Sequence, residues 1–306
     1  MAYRSAKTEV NVNQEAIHQE SQREICAILA HIYSADVLPA LKFTSVAGLT
    51  DAGWHVTDGE HHWLARGMTV EKRQLGISAT REANILKHLS AYGLAPNPLI
   101  RQGKWLVLEW VVGETMSEQL FMMPEHQQTL STLLVSLHDK PLSGYPLNIR
   151  QRLAHQLMFI DRRRFTPCWL KLHQSMMRTP LPVSIKTALV HMDLHEENII
   201  LTMPSDRPTL RLIDWEYAAD ADIALELAAL FQGNGWTSEE QKTFLDYYCQ
   251  RGGYHDVTRL AQAIAQWIPW VTYLSMLWFE LRWRQSGDEH YLEASSEQRR
   301  YLGLSH

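Results

Sequence analysis

The chain has 306 residues, 45% of them hydrophobic, and a formal net charge of −5. That length suffices for two lobes with a sizeable core, and the acid excess argues against nucleic acid as the main partner. Cys26, Cys168 and Cys249 are far apart and form no metal-ligand spacing, so a disulfide framework or structural zinc site is not expected and a reducing cytoplasm fits. Met1 to Gln22 is too polar for a signal peptide, and no run of about 18 apolar residues predicts a membrane span.

In chain order, Asn13 to His31 carries Ile17, Ile25, Ile28 and Leu29 at helical spacing. From Phe43 to Arg66, short alternating runs broken by Gly48, Gly53 and Gly59 predict antiparallel strands joined by tight turns. Ser78 to Leu89 reads as a helix with Ile85, Leu86 and Leu89 on one face. Lys104 to Glu109 reads as a strand. After Gly113 the pattern turns mostly helical: Gln127–His138, Arg150–Ile160, Cys168–Met177, Pro182–Leu189, Ala221–Phe231, Ser238–Tyr248, Val257–Ile268 and Trp270–Arg284. Short strands are expected at Leu189–Val190, Ile199–Leu201 and Thr209–Ile213. This yields an α+β chain in three parts: a helical extension over 1–35, a small β-rich lobe over 36–112, and a larger, mostly helical lobe over 113–306.

Two short runs carry the chemistry. His191 to Asn198 reads H-M-D-L-H-E-E-N, and Leu212 to Glu216 reads L-I-D-W-E. The first matches H-x-D with Asn five positions after the Asp, the loop pattern of ATP-dependent phosphoryl transfer. In that chemistry Asp193 orients or accepts the proton of an attacking hydroxyl. Asn198 and Asp214 offer hard oxygens to Mg²⁺ on the triphosphate. His191 holds the loop by hydrogen bonding. A competing reading takes His191, Asp193 and His195 as metal ligands of a hydrolase, but it leaves Asn198 and Asp214 without a role. The plainest reading makes both aspartates ordinary loop residues.

The remaining candidates depend on the kinase reading. Gly48 and Thr50 lie in a turn between strands whose N–H groups would meet phosphate. Arg66 ends a strand where a kinase places its phosphate-binding Lys, with Glu82 on the next helix as its partner. An arginine there is a departure, since a guanidinium binds phosphate in a different geometry. Near the C-terminus Trp267, Trp270, Tyr273, Trp278 and Trp283 recur at helical spacing. Most of such a stripe belongs to a core. Trp278, with Glu216 and Glu280 as acidic partners, is the candidate wall for a cationic acceptor.

These motifs resemble those of the aminoglycoside phosphotransferase and choline kinase superfamily. Within it, Leu212–Ala218, Asp222–Ala228 and Trp278–Asp288 are similar to the bacterial thiamine kinases. The resemblance spans about residues 40 to 290 and is strongest over 189–288. It implies a bilobal protein-kinase-like fold, ATP with Mg²⁺, and a small hydroxylated substrate. Asp193 would be the catalytic Asp, with Asn198 and Asp214 as metal ligands. Asp222 would lie on the substrate side, and Glu109 and Val111 on the segment whose backbone meets adenine. Thiamine is then the expected acceptor. Choline, another amino alcohol or an aminoglycoside is the alternative of the same class. A non-catalytic nucleotide-binding protein is the alternative of a different class, motivated by Arg66.

Overall fold

A computed structural model describes residues 17–33, 38–46, 53–202 and 209–304. Gly48 and Thr50 lie outside the described residues. The chain divides into two compact units, one drawing on residues up to Thr69 and on Asn97–Trp110, the other on Val70–Pro96 and everything from Val111 onward.

The first unit holds a helix over 17–29 (α1) and a five-stranded antiparallel sheet. Its strands are β1 (Lys42–Val46), β2 (Gly53–Thr57), β3 (His62–Gly67), β4 (Pro98–Gln102) and β5 (Trp105–Glu109), in the order β1-β2-β3-β5-β4. Alternation along β2 and β3 sends Trp54, Val56, Trp63 and Ala65 inward, where they pack with Trp105, Val107 and the Ile25, Ile28 and Leu29 face of α1. The period-2 patterning in the sequence thus marks the side of the sheet that α1 covers. The ladder registers run unbroken except beside Pro98, where a residue without an N–H shifts the pairing of β4 with β5.

In the second unit, helices α2 (Val70–Gln74) and α3 (Ala79–Leu89) come first, α3 capped by the Ser78 hydroxyl, which accepts from the Arg81 N–H. The sequence-based division puts these helices with the β-rich part. They group with the second unit instead because buried Lys72 pairs with Glu216 at 3.2 Å and Arg81 donates to the Glu216 carbonyl. Next come β6 (Glu114–Thr115), α4 (Glu118–Phe121), α5 (Pro124–His138), α6 (Ile149–Leu157) and α7 (Pro167–Arg178). Four strands follow: β7 (Thr187–Val190), β8 (Ile199–Thr202), β9 (Thr209–Leu212) and β10 (Ala219–Asp222). The chain ends with α8 (Ile223–Gly233), α9 (Ser238–Gln250), α10 (Val257–Ser286), α11 (His290–Ala294) and α12 (Ser296–Tyr301). The sheets are small: β10 pairs with β7, and β6-β8-β9 form a three-stranded antiparallel sheet.

Two expectations change. Pro182–Leu189 is not a helix; its end is strand β7, and Ala188 and Leu189 are held by β10. A short apolar run cannot separate strand from helix by itself. The helices expected on either side of Pro269 are one continuous helix, α10. An interior proline costs about 3 kcal/mol. Trp267, Trp270, Val271 and Tyr273 are all buried around it, and each large side chain contributes about 1.5–3 kcal/mol, so packing outweighs the lost backbone bond. Gly113 marks another tight place. A Cβ there would collide with the Leu201 carbonyl oxygen and the Ile200 side chain, so only glycine lets the chain enter β6 against β8.

Candidate active site

Strand β7 ends at Val190 and delivers His191 to Asn198 as a loop; β8 and β9 form the hairpin that returns to Asp214. The Ile213 N–H donates to the Asn198 carbonyl at 2.9 Å, extending the β8–β9 ladder past Ile199 and Leu212. The Asn198 amide donates to the Asp193 carbonyl at 2.9 Å and to its carboxylate at 3.2 Å. His191 Nε2 donates to the Ile213 carbonyl at 2.8 Å, and its ring meets buried Trp215 edge-on at 4.7 Å. Residues 193, 198 and 214 are therefore gathered by backbone bonds on both sides of the hairpin. His195 Nε2 stands 4.0 Å from the Asp193 carboxylate.

Met192 (φ 69°) and Asp214 (φ 61°) are the non-glycine residues with positive φ among the described residues. Each such residue costs of order 1–3 kcal/mol and persists only where its surroundings dictate it. At Met192 the surroundings are the side chain of Glu226 on α8. One carboxylate oxygen accepts from the N–H of His191, in a short contact, and from that of Met192 at 3.1 Å. The other accepts from His138 Nε2 in a second short contact, and His138 Nδ1 is bonded to the Tyr248 hydroxyl at 2.7 Å. Glu226, His138 and Tyr248 are all buried. Burial alone would raise the Glu226 carboxyl, but His138 and the loop N–H groups hold it below the ordinary range. Asn234, at the far end of α8, donates to the Leu194 carbonyl at 2.8 Å. Asp220 anchors a neighbouring turn, accepting from the Ser143 hydroxyl and from the backbone N–H groups of Ser143, Gly144 and Tyr145.

His191 is fully buried, with Nε2 given to Ile213 and Nδ1 left without a partner. Burial lowers its pKa, against the opposing pull of Glu226, the Ile213 carbonyl and Asp214. A neutral ring that braces the loop through Nε2 follows. Among the described residues no group of three or more His, Cys, Asp or Glu side chains is arranged to hold a metal. The hydrolase reading therefore has no third ligand to draw on.

The candidate substrate residues fall in three settings. Asp222 caps α8, accepting from the Ala224 N–H, and its other oxygen accepts from Trp267 Nε1 at 2.9 Å. Glu280 is fully buried and takes a two-pronged bond from Arg164, at 3.0 and 2.9 Å, and a short one from Arg299. Glu216 pairs with Lys72. Half-buried Trp278 donates to the Tyr217 hydroxyl at 3.0 Å, with the Arg282 guanidinium 6.0 Å from its ring. Trp278 and Tyr217 thus touch, while Asp222 and Glu280 are held by their own cores. Trp267, Trp270 and Tyr273 are core aromatics. In the first unit, the Glu109 carboxylate accepts from the backbone and side-chain amides of Asn97. Arg66 closes the inner strand β3 opposite Leu106, and Glu82 is buried in α3 of the other unit.

Residues 43–264 match the phosphotransferase enzyme family. The chain is 35% identical over 229 residues to the thiamine kinases of Salmonella typhimurium and Salmonella typhi, covering 72% of this chain and 78% of theirs. Solved structures share the fold at low identity. Choline kinase LicA from Streptococcus pneumoniae superposes with a TM-score of 0.70 at 19% identity, over 86% of this chain and 93% of that one. The ethanolamine kinase of Plasmodium vivax gives 0.69 at 16%, over 95% and 89%. With a β-rich unit, a larger helical unit and the loop–hairpin constellation of Asp193, Asn198 and Asp214, the chain belongs to the phosphotransferase enzyme family.

Proposed function

We propose that the protein transfers the γ-phosphoryl group of ATP to the primary hydroxyl of thiamine, giving thiamine monophosphate and ADP in the cytoplasm. The observation that supports this reading is the bonded set Asp193–Asn198–Ile213, which ties the loop carrying Asp193 and Asn198 to the backbone just before Asp214. The 35% identity to thiamine kinases supports the acceptor. Asp193 receives the hydroxyl proton as the hydroxyl oxygen bonds to the γ-phosphorus. The bond from that phosphorus to the β–γ bridging oxygen breaks, and ADP leaves with its electron pair.

The donor set suits magnesium. Asn198 spends its amide nitrogen on Asp193, which leaves the amide oxygen for a hard cation, and Asp214 supplies a carboxylate. Mg²⁺ is usually held by one or two protein oxygens, with phosphate oxygens and water completing its shell. When bound, it would neutralise charge on the phosphates. We assign nucleotide contacts to Arg66, Glu82, Glu109 and Val111, and to Gly48 and Thr50. Trp278, beside Tyr217, is our assignment for the side receiving the cationic acceptor.

The test is ADP release with thiamine, choline, ethanolamine and an aminoglycoside, run on the wild-type chain and on Asp193→Asn. Thiamine should give the highest kcat/KM, and the variant should lose about 10²–10⁴-fold in kcat with an unchanged melting temperature. Preference for another alcohol would displace thiamine. Near-normal turnover by Asp193→Asn would remove Asp193 from its role.

A further inference from the structure

Arg152 lies on α6 and is only 8% exposed. Its guanidinium stacks on the Tyr217 ring at 5.6 Å, and among the described residues no carboxylate pairs with it. The Arg81 guanidinium donates to the Gly76 carbonyl, and Arg152 Nε lies against the same glycine, so burial and then the Arg81 charge bring the Arg152 pKa down to about 10. Arg81 is itself spent on carbonyls: it donates to those of Gly76 and Glu216, at 3.3 and 3.1 Å, and its Nε is buried without a partner. Lys72 is nearby in the chain, but it is matched by Glu216. None of the Arg152 nitrogens is sealed from solvent in the way that Arg81 Nε is, so the residue's small exposure includes its charged end.

Two desolvated guanidiniums side by side, with one lacking a counter-charge, are costly unless an anion joins them. Tyr217 adds a third donor. Its hydroxyl accepts from Trp278 Nε1, and among the described residues nothing accepts its own proton. Burial, then the charges of Glu216 and Asp193, raise its pKa well above the usual phenol value, so that proton stays in place at any working pH.

We propose that Arg152, with the Arg81 charge beside it and the Tyr217 hydroxyl, forms an oxyanion site of the phosphate class. A planar guanidinium presents paired donors that match two oxygens of a phosphate. The oxyanion has two sources, inorganic phosphate or the phosphomonoester of the acceptor. Only the second rests on the function proposed above. In that case the site holds the group just transferred, and product retention follows.

The experiment titrates the full chain with inorganic phosphate, and separately with thiamine monophosphate, at fixed ionic strength, reading affinity by calorimetry. Wild type should bind inorganic phosphate saturably, and Arg152→Gln should weaken it at least tenfold. Tyr217→Phe and Arg152→Lys, which keep the local volume, serve if Arg152→Gln does not fold, and each should weaken binding at least threefold. Thiamine monophosphate binding tighter than phosphate, with the same dependence on Arg152, assigns the phosphomonoester. Absence of saturable binding of either compound, or affinities unchanged within twofold in the variants, overturns the site. A chain that binds phosphate through Arg152 yet leaves thiamine unphosphorylated would refute the acceptor while keeping the anion site. Thiamine turnover with no Arg152-dependent binding would do the reverse.

Discussion

Glu226 offers the sharpest test of how the active loop is held. Its carboxylate is fully buried and serves three donors: the N–H groups of His191 and Met192, and His138 Nε2. Glu226→Ala leaves all three without an acceptor. A buried donor left unmet costs about 1–3 kcal/mol, and breaking a buried charged pair about 3–5 kcal/mol. These overlap, so we expect a loss of about 4 kcal/mol, a large share of the roughly 5–15 kcal/mol that holds a folded protein together. Glu226→Gln should cost less, about 1–2 kcal/mol. Its amide oxygen can still serve the loop N–H groups, while its NH₂ faces His138 Nε2. That nitrogen becomes an acceptor if the ring proton moves to Nδ1, next to the Tyr248 oxygen. Urea unfolding read by tryptophan fluorescence measures both values, and kcat should fall with them because Met192 loses the bond that holds its positive φ. A loss below about 1 kcal/mol for the alanine variant, or glutamine as damaging as alanine, would refute the reasoning.

Three further outcomes are expected. Because His191 titrates below the ordinary 6.5 when folded, its contribution to stability is complete above that pH and is lost as pH falls below it. Wild type should therefore weaken between pH 6.5 and 5 by up to about 1.4 kcal/mol per pH unit, and His191→Gln, which can still donate to Ile213, should flatten that slope in parallel urea titrations. Glu280→Gln removes the buried carboxylate that Arg164 and Arg299 share, so stability should drop by about 3–5 kcal/mol, seen as a lower urea midpoint. Gly113→Ala forces a methyl into the Leu201 carbonyl, costing about 1–3 kcal/mol; a melting temperature equal to wild type would contradict the contact.

The constellation of Asp193, Asn198 and Asp214 was legible in the sequence because its spacing is dictated by local geometry. A hairpin of fixed register, β8 against β9, sets position 198 against 213, the residue before Asp214. The β-rich part was legible for the same reason, since alternation along β2 and β3 reports a buried face directly. What escaped were residues whose roles depend on distant partners. Glu226 sits in a run of apolar residues on α8 and looks like a misplaced charge; its meaning comes from His138, 88 positions away. Arg152 gives no signal at all, because an arginine on a short amphipathic helix is normally a solvated residue. An acid inside an apolar helical run was the one available clue, since a buried acid is kept only where donors meet it.

That contrast bears on how the loop works. The two carboxylates expected to do chemistry are partly exposed: the Asp193 side chain keeps 35% of its surface, and Asp214 is half-buried. Those that fix it are sealed: His191, Glu226 and Tyr248 are fully buried, and His138 nearly so. Bonds to water cannot hold a strained loop, because they exchange at no net gain. Buried bonds with no substitute can, and α8 supplies them at both ends, from Glu226 to residues 191 and 192 and from Asn234 to Leu194. The helix that packs against α10 in the core is therefore also the mount for the loop, and the hydrophobic run that hid Glu226 in the sequence is what makes its grip effective.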